Sequence, residues 1–64
     1  MLEMLELKNS KRGVPIAVFK IKNRKELPWV VAYGFNYKSE DWLEGFYFET
    51  EEEAKEIFNK KVSE

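Results

Sequence analysis

The sequence contains no cysteine and no histidine. The first absence excludes disulfides and thiolate metal sites. The second removes the commonest general base and the commonest metal ligand. Glycine and proline are scarce, at three and two residues, so little interrupts regular structure. No apolar run approaches the ~20 residues of a membrane span. Met1 to Ser10 carries Glu3 and Glu6 within its apolar stretch and no small-residue cleavage site, unlike a signal peptide. A cytoplasmic protein with no membrane association is the expectation. The 64 residues form one expected domain, 1–64. A chain this short buries only about 60% of its unfolded surface. Without disulfide or thiolate metal support, stability must come from a good core or from oligomerisation.

What is present argues for a folded chain. Hydrophobic residues make up 44% and aromatics 16%, outside the range of disordered segments. Charged residues reach 36%, as in a dense ionic surface, and fit a heat-adapted or an AT-rich source equally. Residues 1–32 carry seven bases and three acids, residues 33–64 four bases and nine acids. The two halves attract each other in a folded chain.

Periodicity places the elements. Residues 14–22, VPIAVFKIK, are rich in β-branched side chains and read as a strand, with Pro15 suited to its start or to an edge. Residues 28–37, PWVVAYGFNY, give the strongest strand signal, and 42–49 read as the returning strand after a polar turn. Residues 1–8 alternate through Leu5, Glu6, Leu7 and Lys8 and are read as a first hairpin strand. At Thr50 the period changes. Thr50 and Glu53 fit a capping box. Ala54, Ile57, Phe58 and Val62 then recur at helical spacing. Acids fill the first turn and Lys60 and Lys61 the last, as the helix dipole favours. Glu51–Lys55 and Glu56–Lys60 stand at i,i+4. The helix is expected over 51–62. The fold class is α+β: a three- or four-stranded antiparallel β-meander with one C-terminal helix packed on one face.

Both faces of such a sheet are apolar. One side of the central strand carries Trp29, Val31, Tyr33, Phe35 and Tyr37, the other Val30, Ala32, Gly34 and Asn36. One helix of ~18 Å covers one face. The small residues Ala32 and Gly34 suggest that it lies on their side, together with Phe46 and Phe48. Trp29, Tyr33, Phe35, Tyr37 and Tyr47 then remain as an aromatic face that needs cover. The amino-terminal segment, a second copy or another protein would supply it. Tyrosine and tryptophan suit interfaces because each joins apolar area to a polar handle.

Catalytic chemistry is poorly provided. Ser10, Ser39, Ser63 and Thr50 have no histidine to activate them. Glu51, Glu52 and Glu53 open a helix, where the dipole explains them. Glu40, Asp41 and Glu44 match no calcium-loop spacing, and there is no glycine-rich phosphate loop. No enzyme activity, metal or cofactor is expected. Lys20, Lys22, Arg24 and Lys25, with Lys11 and Arg12 at the preceding turn, offer a basic β-ribbon for nucleic acid. The formal net charge of −1 weighs against it.

Phe48-Glu49-Thr50-Glu51-Glu52-Glu53-Ala54 resembles the F-x-T-x-x-E-A pattern of the arm-type DNA-binding domains of phage and transposon integrases. Trp29-Val30-Val31 and Tyr33 resemble their central strand. The likeness covers about half the chain at most. It implies a three-stranded sheet backed by one C-terminal helix, with the sheet entering the DNA major groove. Glu49, Glu51 and Glu52 stand where that family is commonly lysine-rich. In size and charge the chain is also similar to short accessory proteins of phages and mobile elements, including inhibitors of host defence. The expected function is a non-catalytic interaction module that self-associates as a dimer through Trp29, Tyr33, Phe35, Tyr37 and Tyr47. The alternatives are a DNA-binding module using Lys20, Lys22, Arg24 and Lys25, and a small protein inhibitor acting through its acidic half.

Overall fold

A computed structural model describes residues 2–64. Four strands, β1 (Leu2–Asn9), β2 (Pro15–Ile21), β3 (Trp29–Tyr33) and β4 (Glu44–Phe48), precede one helix, α1 (Glu51–Val62). The strands form one antiparallel sheet in the order β1-β2-β3-β4. The fold is the expected α+β meander with its helix on one face. The helix bounds match the sequence reading. β1 begins the sheet as a hairpin strand, although Met1 of the predicted 1–8 strand lies outside the described residues.

Register decides which side chains share a face. Trp29 opposes Phe48 and Val31 opposes Phe46, so these large residues lie together. Across β2 they meet Val18 and Ile16, and α1 packs here through Ala54 and Phe58, flanked by Ile57 and Val62. This corrects the sequence reading, which placed the helix on the Val30, Ala32 and Gly34 side. Phe46 and Phe48 do lie under the helix, but Trp29, Val31 and Tyr33 lie there with them. A helix stands well clear of the sheet it covers, and large sheet residues fill that space; small ones would leave a void.

The small residues serve the other face. Ala17, Ala32 and Gly45 oppose one another in one row across β2, β3 and β4. They form a trough that the β3–β4 connection fills with Phe35 and Trp42. Phe19, Phe35 and Trp42 make an aromatic trio with ring centroids 5.2 to 6.3 Å apart. Trp42 lies so close over β4 that a Cβ on Gly45 would stand 2.7 Å from the indole nitrogen.

The predicted 28–37 strand therefore ends early, at Tyr33. Gly34 takes φ +73°, a conformation that costs glycine little, and the chain leaves the sheet plane. The Gly34 and Phe35 amides both donate to the Pro15 carbonyl, at 2.9 and 3.0 Å. Asn36 and Asp41 pair as a small bridge, which folds the connection back to β4. The predicted 42–49 strand shortens for the same reason, because Trp42 belongs to the cover and not to the ladder. The predicted 14–22 strand runs Pro15–Ile21.

Thr50 caps α1. Its Oγ accepts the Glu53 amide at 3.3 Å and its hydroxyl donates to the Glu53 carboxylate at 3.1 Å. The reciprocal bond thus runs through the threonine hydroxyl and not its amide. Lys55 pairs with Glu51 at 2.9 Å, and that hydrogen bond, with the carboxylate charge, raises the Lys55 pKa above its ordinary value. Among the described residues Glu56 and Lys60 do not close as an ion pair. Thr50→Ala is expected to cost about 1 kcal/mol, the usual loss for an N-cap oxygen. The check is the urea midpoint with an unchanged slope. An unshifted midpoint would mean that packing alone fixes where α1 begins.

Candidate interaction surface

The five aromatic residues singled out from the sequence occupy different places. Trp29 and Tyr33 pack beside the helix-side core. Phe35 is buried in the opposite core. Tyr37 stands 66% exposed in the β3–β4 connection, and Tyr47 is exposed on the outer side of β4. No single aromatic sheet face results. The odd residues of the predicted long strand separate at Gly34, which sends Phe35 and Tyr37 across to the other side.

The basic residues are also divided. Lys20 lies on the helix side of the sheet, its ammonium 5.5 Å from the Trp29 ring centroid. Lys22, Arg24 and Lys25 sit in the exposed β2–β3 connection. The Arg24 guanidinium lies 4.7 Å from the Tyr47 ring, on the loop side, and its Nε donates to the Glu26 carbonyl at 2.9 Å. Each cation–π contact adds on the order of 0.5–1 kcal/mol at such exposed positions.

The apolar surface left outside gathers elsewhere. Met4, Leu5 and Leu7 are each more than a third exposed on β1, and Leu43 is 87% exposed. Leu7, Val14, Pro15, Phe35, Tyr37 and Leu43 line an open groove of about 810 Å³ between the β1–β2 hairpin and the β3–β4 connection. The Leu43 side chain rests against Gly34, where a Cβ would meet it at 2.8 Å. The sequence reading placed Leu43 in the 42–49 strand; it lies instead in the β3–β4 connection, just before β4 begins at Glu44. Met4, Leu5 and Leu7 lie on β1, the first hairpin strand expected from sequence; the amino-terminal segment, one of three covers considered for the aromatic face, is thus an edge strand of the sheet.

Among the described residues, no three acidic side chains come together to hold a metal ion. No helix of the described residues is long and apolar enough to cross a membrane. Comparison with protein-family models, with curated proteins and with solved structures finds no match.

Proposed function

We propose that this protein is a non-catalytic interaction module that acts by self-association. The observation that carries this reading is the exposed apolar run Met4, Leu5 and Leu7 on the edge strand β1, with the Leu43 and Tyr37 groove beside it. Apolar side chains clustered on an edge are exposed at a cost that a second surface relieves. The interface sought from sequence therefore moves from the Trp29 and Tyr33 face to the β1 side. Nucleic-acid binding through Lys20, Lys22, Arg24 and Lys25 draws less support, because Lys20 and Arg24 lie on opposite sides of the sheet and form no continuous stripe. Inhibition through the acidic half draws less as well, since Glu51, Glu52 and Glu53 occupy the first turn of α1, where the dipole accounts for them.

Sedimentation equilibrium over rising micromolar concentrations tests the reading. The expected result is a mass that climbs toward twice that of the chain. A mass that stays at one chain throughout would remove self-association.

A further inference from the structure

Among the described residues β1 is an edge strand that pairs with β2 alone. The Pro15 carbonyl accepts bonds from Gly34 and Phe35, and the Ile21 amide donates to the Pro28 carbonyl at 2.9 Å. Backbone groups of Pro15, Ala17, Phe19 and Ile21 thus point toward β3. By alternation, those of Ile16, Val18 and Lys20 point toward β1. Their partners there are Lys8, Glu6 and Glu3, whose backbone groups are used within the sheet. Leu2, Met4, Leu7 and Asn9 are left directing N–H and C=O groups outward.

The irregularity at Leu5 decides what can pair with this edge. Leu2, Met4, Leu7 and Asn9 lie on the loop side of the sheet; Glu3, Glu6 and Lys8 lie on the helix side. Face parity therefore changes at Leu5, the extra residue between Met4 and Glu6. Opposed residues of an antiparallel pair must share a face. In an unbroken strand that rule would forbid pairing residue 3 with residue 8. Here the bulge permits it, and one register uses the whole strand. Leu2 opposes Asn9 of the other copy, Glu3 opposes Lys8, Met4 opposes Leu7 and, at the centre, Leu5 opposes Glu6, each pair occurring twice about the two-fold axis. Charge fits charge at Glu3 and Lys8 on the helix side, and apolar fits apolar at Met4 and Leu7 on the loop side. Up to about eight backbone hydrogen bonds close the seam. Sliding the copies by two residues sets Glu3 against Glu6. A register centred on Leu7 opposes Glu6 with Lys8 but leaves Leu2 to Met4 unpaired.

We propose that two copies join through antiparallel β1–β1 pairing, Glu3 of each against Lys8 of the other, merging two four-stranded sheets into one. The pairing rests on the self-association reading above and names its geometry. Lys8 already stands 3.6 Å from Glu6 of its own strand, so the second copy places it between two carboxylates. The charges of β1 carry both signs, and thus select an antiparallel copy of the same strand; an edge guarded by like charge would repel it.

The absence of native cysteine makes the test free of background. Glu3 and Lys8 form a non-hydrogen-bonded pair, with Cα atoms about 4.5 Å apart, within the span of about 4.4–6.8 Å that a disulfide bridges. Two residues 3 lie five positions apart along the seam, ~17 Å. Glu3→Cys and Lys8→Cys chains are purified separately, then mixed and oxidised. Crosslinked dimer is expected in the mixture and in neither variant alone. The same samples are sedimented under reducing conditions. Dimer by mass without the mixed crosslink overturns the β1 register and leaves self-association standing. Monomer by mass overturns both. Charge reversal gives an independent reading should a cysteine variant fold poorly. Glu3→Lys and Lys8→Glu are each expected to weaken association alone and to restore it when mixed. Reversal without rescue on mixing counts against the pairing.

Discussion

Phe58→Ala is expected to remove a large part of the folding stability of this chain. Phe58 is fully buried and is the largest side chain that α1 sends into the sheet. Phe→Ala in a core costs about 3–5 kcal/mol, as lost transfer energy plus an unfilled cavity. At about 0.05–0.15 kcal/mol per residue, a chain of this length has roughly 3–10 kcal/mol to lose. The helix cannot compensate by itself. At 12 residues it is marginal in isolation, and its stability comes from packing. Circular dichroism against urea measures the effect. Phe58→Leu, which keeps most of the volume, should retain a cooperative transition at a lower midpoint. If Phe58→Ala melts within about 1 kcal/mol of the parent, α1 would not be the main cover of its face.

Trp42→Ala is expected to cost about 2–4 kcal/mol, although Trp42 lies in no strand and no helix. Its ring is half of the lid over the second face. It sits 5.2 Å from Phe19 and 6.3 Å from Phe35 and directly over Gly45. Removing it opens the trough above Ala17 and Ala32, against whose cluster it packs. Two readouts separate this from ordinary loop tolerance. The urea midpoint should fall substantially, and a dye that reports exposed apolar surface should bind more strongly under native conditions. A surface tryptophan that merely rested on the sheet would cost within about 0.5 kcal/mol and leave dye binding unchanged. The two substitutions probe opposite faces, so their costs should add approximately.

The two experiments also define what the association proposals require. With β2 and β3 covered on both faces, the edges of the sheet are the natural place for a second copy. β4 is a short strand that runs directly into α1, whereas β1 offers the longer free edge. Weakening either cover would expose a different apolar surface and promote association of another kind, so the crosslinking samples must be shown to be natively folded.

Local chemistry determined the elements. The Thr50 and Glu53 pair, the acidic first turn and the spacing of Ala54, Phe58 and Val62 are properties of neighbouring residues, so α1 could be placed to the residue. The β-branched run from Val14 to Lys22 likewise made a strand legible, and the short polar connections made the meander legible, because each depends on contacts close in sequence. The coverage of the faces was not available at that range. Trp29 and Phe48, or Ala32 and Gly45, become neighbours only when β3 and β4 take one register among several. That register depends on the path of residues 34–43, in which Gly34 turns out of the ladder and Phe35 and Trp42 swing back over Ala17 and Ala32. Alternation alone assigned Phe35 and Tyr37 to the Trp29 face, because a period of two holds only while the strand continues. The sequence by itself therefore determined which segments are strands and helix and that there would be apolar area on both sides. Only the tertiary structure decided which side received the helix and which the aromatic lid, because packing volume across strands is a sum over residues far apart in the chain.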